Sequence, residues 1–589
     1  MASSDFKVCL QKDSTISDIT PELSFAVESG SSSCTYQSYP ATSPSNSSVT
    51  FSVQVPSESI VLGRDILLRS GLSFQIKCGS QAVVANQVPI GQPALKWGVD
   101  TALSPFPLAS LMTTINCQIN NTNVSINLAD VFPQLLQMNG REHLAYYNGA
   151  CPSLPDGDYG SFADALGANN NPLASYVNDS YSNKLMGRGA YPVTLDVNRY
   201  TIAGGGVVVD KSLIAVAVTD TWIINVVVNV TEPVFLSPWT WGNPERNAQG
   251  MVGVNNMAFT FNIDSGLRRL LSSSSSYITE VKPGYTALAG SSTTLFGGAK
   301  VGLQSADTAP TLLLKFLSTQ PSDLIESKNV VPYTDFPRYL TTPSTQLLTL
   351  GTADLNTQSI QINQMPSKII IVARKPLGTS ATPWKDPATF LTITGVSVNL
   401  NNASGLLSSS SQNDLWRMSV RSGSNQTWAQ FSGQATKIAA NYALPSTGIS
   451  LIPTGGSLLV LNPVLDLSLP DYITNGSLGN YNLQMRVTVA NQYGETITPE
   501  LVVMCVNDGI LTTTQGTSST YTGIITKQLC LDAKAMKPMP SADEARMIGG
   551  ALLNMSITRN VKRAGAMSAG ASSGGAQSGG RSKLSSLMC

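Results

Sequence analysis

Residues 221–230 read TWIINVVVNV, a run of almost only β-branched and aromatic side chains. Such side chains suit a pleated surface, so the run predicts the end of a long strand over 212–230. Far upstream, Val49, Phe51, Val53 and Val55 alternate with other residues at the period of a half-buried strand. The same reasoning predicts further strands at 67–76, 112–119, 124–128 and 257–263.

A second set of strand-forming segments follows the Ser- and Gly-rich stretches near 272–276 and 289–298. Turn-forming pairs, such as Asn475-Gly476 and Asp508-Gly509, separate its members. Helical signal is scarce in both sets, with one short helix expected at 128–137. The predicted strands of the second set are 311–316, 359–362, 368–374, 390–400, 458–461, 482–489 and 501–506.

Two segments resemble each other across these sets. Residues 114–122 (TINCQINNT) and 394–404 (TGVSVNLNNAS) are both alternating strands that end at an Asn-Asn pair. A duplicated β-sandwich would leave such a trace. The sequence therefore predicts an all-β chain with two tandem sandwiches and long loops. The predicted boundaries are an N-terminal arm at 1–48, a first sandwich at 49–270, a junction at 271–310, a second sandwich at 311–540 and a C-terminal region at 541–589.

The chain carries few charges, and they balance. Lys and Arg total 36, Asp and Glu total 36, and charged residues make up 12% of the 589 residues. That is about half of the usual ~25%. A nucleic-acid-binding protein needs a concentrated basic surface to displace counterions, so this composition argues against one. It indicates a protein whose faces are covered by neighbours, although a low-charge secreted protein has a similar composition.

The sequence shows neither a targeting signal nor closely paired cysteines. The start, MASSDFK, has no apolar core of a signal peptide, and no apolar run reaches the ~18 residues of a membrane span. The eight cysteines form no C-x-x-C pair. We therefore expect synthesis without a secretory signal, and reduced thiols that are mostly small buried groups.

Motifs for catalysis or metal binding are weak. His143 is the single histidine, and together with the absence of paired cysteines this excludes an ordinary zinc site. A serine triad would have to use His143, and no nucleophile elbow is present to serve it. Residues 570–574 match G-x-S-x-G, but in a low-complexity segment rather than at a strand-turn-helix. Asp156 and Asp158 begin like a calcium loop, yet Gly167 stands where a bidentate Glu is needed. We predict a non-enzyme with no catalytic, cofactor-binding or metal-binding residues.

The C-terminal region predicts one helix and a basic end. Ser541 and Glu544 form a capping box, in which each side chain accepts from the other residue's free backbone N–H. The helix would run to about residue 553, and a flexible Gly-, Ala- and Ser-rich tail follows at 564–589. From Ala545 onward the region has six Lys and Arg residues and no acid. A solvated end and a contact on the interior of a capsid are both compatible with this pattern.

Two stretches resemble the double jelly-roll major capsid proteins of small eukaryotic DNA viruses, namely polinton-like viruses with their virophage and adenovirus-hexon relatives. The first is TEPVFLSPW at 231–239 with QGMVGVNNM at 249–257. The second spans 393–431 and contains NNASGLLS at 401–408, DLWRMS at 414–419 and QTW at 426–428.

The resemblance implies two upright eight-stranded jelly rolls per subunit. Three subunits would form a pseudo-hexagonal capsomer of an icosahedral virion. The implied partners are two further copies of the chain, neighbouring capsomers, and penton and minor or cement proteins, with at most weak contact between the basic tail and packaged DNA. Two alternatives stay open at this point: a minor capsid or spike protein, and a carbohydrate-binding sandwich or adhesin.

Overall fold

In the computed structural model, the described residues are 7–11, 25–29 and most of 33–523. The gaps within the last range are 57–59, 82–91, 94, 96, 98–100, 140–192, 204–205, 211–220, 241–249, 274–276, 288–289, 297–299, 302–303, 306–308, 319–327, 377–389, 439–448, 471–472, 493–495 and 515.

The chain divides into two compact units. Residues 1–32 and 535–589 form one unit, in which β1 (Lys7–Gln11) pairs antiparallel with β2 (Phe25–Ser29). Residues 33–534 form the other unit. This larger unit contains two β-sandwiches, which we name the first lobe (residues 33–318) and the second lobe (residues 328–523).

The first lobe contains twenty of the described strands and two helices. The helices are α1 (Pro107–Leu111) and α2 (Leu128–Met138). The strands are β3 (Ser33–Pro40), β4 (Ser43–Pro44), β5 (Ser48–Gln54), β6 (Ile60–Leu62), β7 (Leu67–Gln81), β8 (Gln92–Pro93), β9 (Thr101–Leu103), β10 (Met112–Ile119), β11 (Thr122–Ile126), β12 (Thr194–Ala203), β13 (Gly206–Asp210), β14 (Thr221–Pro233), β15 (Asn256–Ile263), β16 (Leu271–Ser273), β17 (Ile278–Pro283), β18 (Tyr285–Ala287), β19 (Gly290–Ser292), β20 (Lys300–Val301), β21 (Gln304–Ser305) and β22 (Thr311–Ser318).

Two main sheets enclose the core of this lobe. One follows the order β13-β12-β14-β7-β22-β3, and the other follows β11-β10-β15-β5-β4. The run that begins at Thr221 is confirmed as a strand, and it pairs with β7 along its whole length. Trp222, Ile224, Val226 and Val228 project from β14 into the core. They meet side chains such as Phe51 and Phe259 from the opposite layer, as expected for a sandwich.

The second lobe contains thirteen strands and three short helices among its described residues. The helices are α3 (Gln412–Arg421), α4 (Trp428–Phe431) and α5 (Pro463–Asp466). The strands are β23 (Lys328–Asp335), β24 (Arg338–Thr341), β25 (Thr352–Asn356), β26 (Ile360–Gln364), β27 (Lys368–Arg374), β28 (Thr392–Leu400), β29 (Ala403–Leu406), β30 (Gln434–Ile438), β31 (Ile449–Pro453), β32 (Leu459–Leu461), β33 (Leu478–Ala490), β34 (Glu500–Thr514) and β35 (Thr517–Thr522). Its main sheets follow β23-β34-β27-β32 and β25-β33-β28-β29.

The two Asn-Asn segments occupy the same position in the two lobes. β10 and β28 are each joined by a tight turn to the edge strand that follows, and each pairs on its other side with the strand in the next position, β15 or β33. Asn120 and Asn401 both adopt a left-handed conformation, with φ near 49° and 50°. Their backbone N–H groups donate to the carbonyls of Asn256 and Asn482. The resemblance between the two segments in sequence is therefore matched by their positions in the two lobes.

Sheet pairing moves two of the predicted boundaries. The second sandwich was expected to begin at residue 311, but β22 (Thr311–Ser318) pairs with β7, β6 and β3 in the first lobe. The N-terminal arm was expected to extend to residue 48, but β3 is already a strand of the same sheet. Local sequence does not reveal these assignments, because the partner strands lie hundreds of residues away. The predicted C-terminal helix and tail lie outside the described residues.

Candidate functional site

The inner sheet of the second lobe is buried on both of its faces. Ile369, Ile371 and Ala373 of β27 belong to the core of the second lobe. Ile370 and Val372 point the other way and pack in the same cluster as the core of the first lobe. A strand buried on both faces becomes a continuous apolar run rather than an alternating one, and KIIIVAR is such a run. The two lobes therefore share apolar contact, and we call their interface the lobe joint.

Helix α2 of the first lobe supplies polar groups to this joint. Asn127 caps its start by accepting from the N–H of Asp130 at 3.3 Å. Asp130, Gln134 and Gln137 follow at spacings of four and three residues, which places them on one helix face. Pro133 has no N–H to bond the carbonyl of Ala129, and the Nη1 of Arg374 donates to that carbonyl instead, at 3.1 Å.

A buried ion network ties this helix to the second lobe. The Nη2 of Arg374 donates to Oδ1 of Asp130 at 2.6 Å, and its Nε donates to Oε1 of Glu500 at 2.6 Å. Arg338 pairs with the other oxygen of Asp130. The side chains of Arg374, Asp130 and Glu500 are 5%, 10% and 6% exposed. Because both oxygens of Asp130 and three nitrogens of Arg374 are used, the geometry fixes the register of the two lobes.

The network keeps Asp130 ionised. Burial alone would raise the pKa of its carboxyl. The charges and hydrogen bonds of Arg374 and Arg338 outweigh the effect of burial and hold that pKa below its ordinary value. The joint thus contains a permanent carboxylate between two guanidinium groups, which suits a structural clamp rather than a proton-transferring site.

Amide contacts extend the joint along α2. Nε2 of Gln426, just before α4, donates to Oε1 of Gln137 at 3.0 Å. The side chain of Asn425 donates to the carbonyl of Met138 at 2.9 Å. Gln426 of the QTW segment, quoted above for the resemblance, therefore lies at the interface of the lobes, whereas Thr427 and Trp428 of the same segment are exposed.

A second seam joins the Asn120 turn to the last hairpin of the second lobe. The side chain of Asn120 donates to the carbonyls of Gly253 and Thr517, at 3.0 and 3.3 Å. Thr122 donates to the carbonyl of Ser518 at 2.6 Å, and the N–H of Ser518 donates to Oδ1 of Asn121 at 2.7 Å. Residues 120–122 and 517–518 are nearly 400 positions apart in the chain, so the seam adds a second polar contact between the lobes.

A second buried carboxylate supports α1, the helix next to α2. Glu232, at the end of β14, accepts from the N–H groups of Leu108 and Ala109 at 2.7 and 2.8 Å. It thereby satisfies free donors in the first turn of α1, which has no side-chain cap of its own. Burial raises the pKa of Glu232 to about 8, although both backbone hydrogen bonds lower it.

One turn of the second lobe presents leucine side chains to solvent. Leu348 is 64% exposed and Leu350 is 71% exposed, at the tip between β24 and β25. Buried Leu347 anchors the turn through two backbone hydrogen bonds with Ile497. Leu350 has a φ of 55°, which costs an L-residue other than glycine roughly 1–2 kcal/mol. The turn is therefore held rigidly in a shape that exposes apolar surface.

The predicted absence of catalytic and metal-binding residues stays a prediction. His143, Asp156, Asp158 and the residues 570–574 lie outside the described part of the chain. Among the residues that are described, no group of three or more His, Cys, Asp and Glu side chains could hold a metal ion. Within that same part, no helix is long and apolar enough to cross a membrane.

Sequence reasoning missed the residues of the joint. Asp130 lay inside a correctly predicted helix, and its position three residues after a capping Asn was a usable signal. Arg374 and Glu500 carried none, since each is a charged residue at the end of an apolar strand and their pairing is not local. Helix α3 was also missed, although Ser411, its N-cap, and Asp414, in its first turn, form a capping box.

The fold and the joined lobes define the class of protein, a chain with two tandem jelly-roll β-sandwiches. Residues 4–317 match the family model of the Sputnik virophage major capsid protein 1st domain. Residues 336–509 match the model of the major capsid protein V20 C-terminal domain. The first match ends at the end of β22, in agreement with the sheet pairing. The chain belongs to the Sputnik virophage major capsid protein family.

Individual relatives agree with this assignment. The putative capsid protein V20 of Sputnik virophage is 26% identical over 549 residues, which cover 90% of this chain and 82% of that protein. A chain of the Sputnik virophage cryo-EM structure has a TM-score of 0.66 at 24% identity and covers 93% of this chain and 99% of its own. The mavirus major capsid protein has a TM-score of 0.59 at 16% identity, with 92% and 100% covered.

The family establishes what the chain does. It is a structural, non-enzymatic major capsid protein, located in the virion capsid, and it assembles with other capsid components. The predicted fold class and role are confirmed. The family assignment favours the major subunit over the two alternatives that the sequence left open, a minor or spike protein and an adhesin.

Proposed function

We propose that the chain forms a homotrimer that acts as a pseudo-hexagonal capsomer of an icosahedral virion. The capsid role of the family supports self-assembly. Two lobes with matching strand order in one sheet support the geometry, because three such subunits present six similar lobes around a closed three-fold axis. Such a capsomer would contact neighbouring capsomers, penton proteins and minor or cement proteins.

The observation that carries this proposal is the exposed leucine turn. Two leucines that stay in water forgo roughly 1.5–3 kcal/mol each relative to burial. The left-handed backbone at Leu350 adds to that cost. A rigid, strained and apolar protrusion is what an interface between copies of a chain uses, since closed contact removes both leucines from water.

Light scattering on the purified protein tests the trimer. We expect a mass about three times the 62.2 kDa of the chain. A stable monomer at micromolar concentration would contradict the proposal. The double variant Leu348→Asp with Leu350→Asp should shift the mass toward the monomer, because two charges would be buried without partners.

Two further variants separate assembly from folding. Leu350→Gly removes the apolar side chain and also relieves the left-handed strain, so the subunit should be at least as stable while the trimer dissociates more readily. Thr349→Ala changes the residue between the two leucines with little change in apolar surface, and it should keep the mass of the wild type. Equal masses for the wild type and all three variants would show that this turn does not lie at the interface between subunits.

The C-terminal region, residues 541–589, is proposed to lie on the capsid interior. Its support is the sequence, which predicts a helix with apolar residues from Ser541 and then a basic end with no acid. An apolar stripe on a short helix is normally buried against a partner. The six positive charges are too few to bind DNA tightly. Deleting 541–589 should leave trimers intact and lower the particle yield, and a normal yield would show that the region is dispensable.

A further inference from the structure

Arg269 is a buried cation that forms no salt bridge among the described residues, although three carboxylates lie near enough to act on its charge. It lies in the turn between β15 and β16, with 8% of its surface exposed. Its Nε is buried and has no hydrogen-bond acceptor among the described residues. Burial, and then the charge of Arg374, lower the pKa of Arg269 to about 9, against the opposing charges of Asp130, Asp264 and Glu500. Its guanidinium therefore borders the ion network of the lobe joint.

The nearby carboxylates are engaged by other arginines. Asp130 is bonded by Arg374 and Arg338, and Glu500 is bonded by Arg374. Asp264 pairs with Arg268 at 3.7 Å and also accepts from the backbone N–H of Arg268. With the Arg268–Asp264 pair balanced, three arginines (269, 338 and 374) stand against two carboxylates (130 and 500). The cluster carries one excess positive charge. Arg338 is 35% exposed, but Arg269 is buried, and a buried charge is unfavourable unless an anion compensates it.

Further unpaired polar groups border the same cluster. Gln134 is fully buried, lies one helical turn after Asp130, and neither its amide nitrogen nor its amide oxygen has a partner among the described residues. The hydroxyl of Ser104 is also unpaired there. The backbone N–H of Ser104 donates to the carbonyl of Leu270, the residue that follows Arg269. A buried amide or hydroxyl without a partner costs roughly 1–3 kcal/mol, so several together in a native fold indicate a bound group.

We propose that Arg269, with donors from Gln134 and Ser104, binds a small inorganic anion at the edge of the lobe joint. The anion accepts from the Nε–H of Arg269, from the amide of Gln134 and from the hydroxyl of Ser104. Its negative charge balances the excess arginine. The small exposed fraction of Arg269 admits a compact ion and excludes a bulky one. The site stabilises the position of α2 and hence the contact between the lobes.

Thermal unfolding of the full-length protein tests the site, with chloride as the probe. Chloride replaces gluconate stepwise at constant ionic strength and pH, because gluconate is too large to enter. The unfolding midpoint of the wild type should rise with chloride, as linkage requires for a ligand that binds only the folded state. R269Q should lose this dependence, and R268Q, which changes the neighbouring exposed arginine, should keep it. Equal chloride responses of wild type and R269Q would overturn the proposal.

A second measurement needs no variant, in case R269Q does not fold. Crystals of the wild-type protein soaked in bromide should give an anomalous-scattering peak within hydrogen-bond distance of the Nε of Arg269. Absence of a peak at that position, while bromide binds elsewhere on the surface, would overturn the proposal.

Discussion

The two Asn-Asn turns have the same local structure but lie in different surroundings. Asn120 and Asn401 share a left-handed backbone, a bond to the carbonyl of the partner strand, and an Oδ1 that accepts a backbone N–H there, from Asn255 and Asn482 respectively. Asn120 is buried and donates across the seam to Thr517 of the second lobe. Asn401 is exposed, and its described bonds stay within its own lobe.

The difference shows that equivalent turns of two similar sandwiches can serve different roles. One copy of the turn has become part of the lobe joint, where polar contacts hold the two sandwiches in one register. The other copy faces outward, on the same lobe as the exposed Leu348 and Leu350. The same contrast holds for ion pairs, which are buried at Arg374 and exposed at Arg486.

The largest expected effect concerns the buried ion network. Asp130→Asn removes one charge, which leaves Arg338 without its anionic partner and Arg374 with Glu500 alone. The free energy of unfolding should therefore fall by about 3–5 kcal/mol. Asp354→Asn is the matched control, because the Arg486–Asp354 pair has exposed fractions of 62% and 36%. That change should cost only about 0–1 kcal/mol. Denaturant titration measures both, and equal losses would show that the joint holds the lobes no more firmly than a surface pair.

A second effect sharpens the contrast between the two buried carboxylates of the first lobe. Glu232 has its pKa raised to about 8 by burial. The folded state therefore holds a proton that the unfolded state releases above its ordinary pKa of about 4.3, and stability falls as pH rises from there to about 8. The slope can reach about 1.4 kcal/mol per pH unit.

The variant Glu232→Gln isolates this contribution. Its free energy of unfolding should lack the slope, so the difference between wild type and variant changes steadily over the same pH range. The pH dependence that Asp130 contributes to the free energy of unfolding has the opposite sign. Because its pKa is lowered in the folded state, its contribution is lost only as the pH falls below the ordinary pKa of the carboxyl. A constant difference between wild type and Glu232→Gln across the range would mean that Glu232 is ionised throughout.

The smallest expected effects compare the two turns directly. Glycine tolerates the left-handed backbone, so Asn120→Gly and Asn401→Gly remove only the side-chain hydrogen bonds. We expect a loss of about 1–3 kcal/mol at Asn120, where buried groups lose their partners, and about 0.5–1 kcal/mol at Asn401. The corresponding alanine variants should each lose about 1 kcal/mol more, because they add the left-handed strain. Similar losses for the two glycine variants would show that the turns are equivalent.

The fold was largely predictable from local pattern, and the joint was not. Alternation in 49–55 and the apolar run 368–374 predicted strands that the structure confirms, and the helix at 128–137 was also found. β3, rich in Ser and Tyr, gave no clear apolar face. The partners of Arg374 are 244 and 126 residues away, and no local spacing encodes such a contact. Pro133 was visible in the sequence, but the carbonyl that it frees could be assigned to Arg374 only from the structure.

Hydrogen exchange tests most directly whether the joint makes the two lobes one structural unit. The slowest amides of β7 and β14 report on the first lobe, and those of β27 and β34 report on the second. We predict that both pairs of strands exchange with the same free energy of opening. Asp130→Asn should lower this free energy by the same amount in both pairs. Two distinct values in the wild type, or a variant that destabilises only one pair, would contradict it.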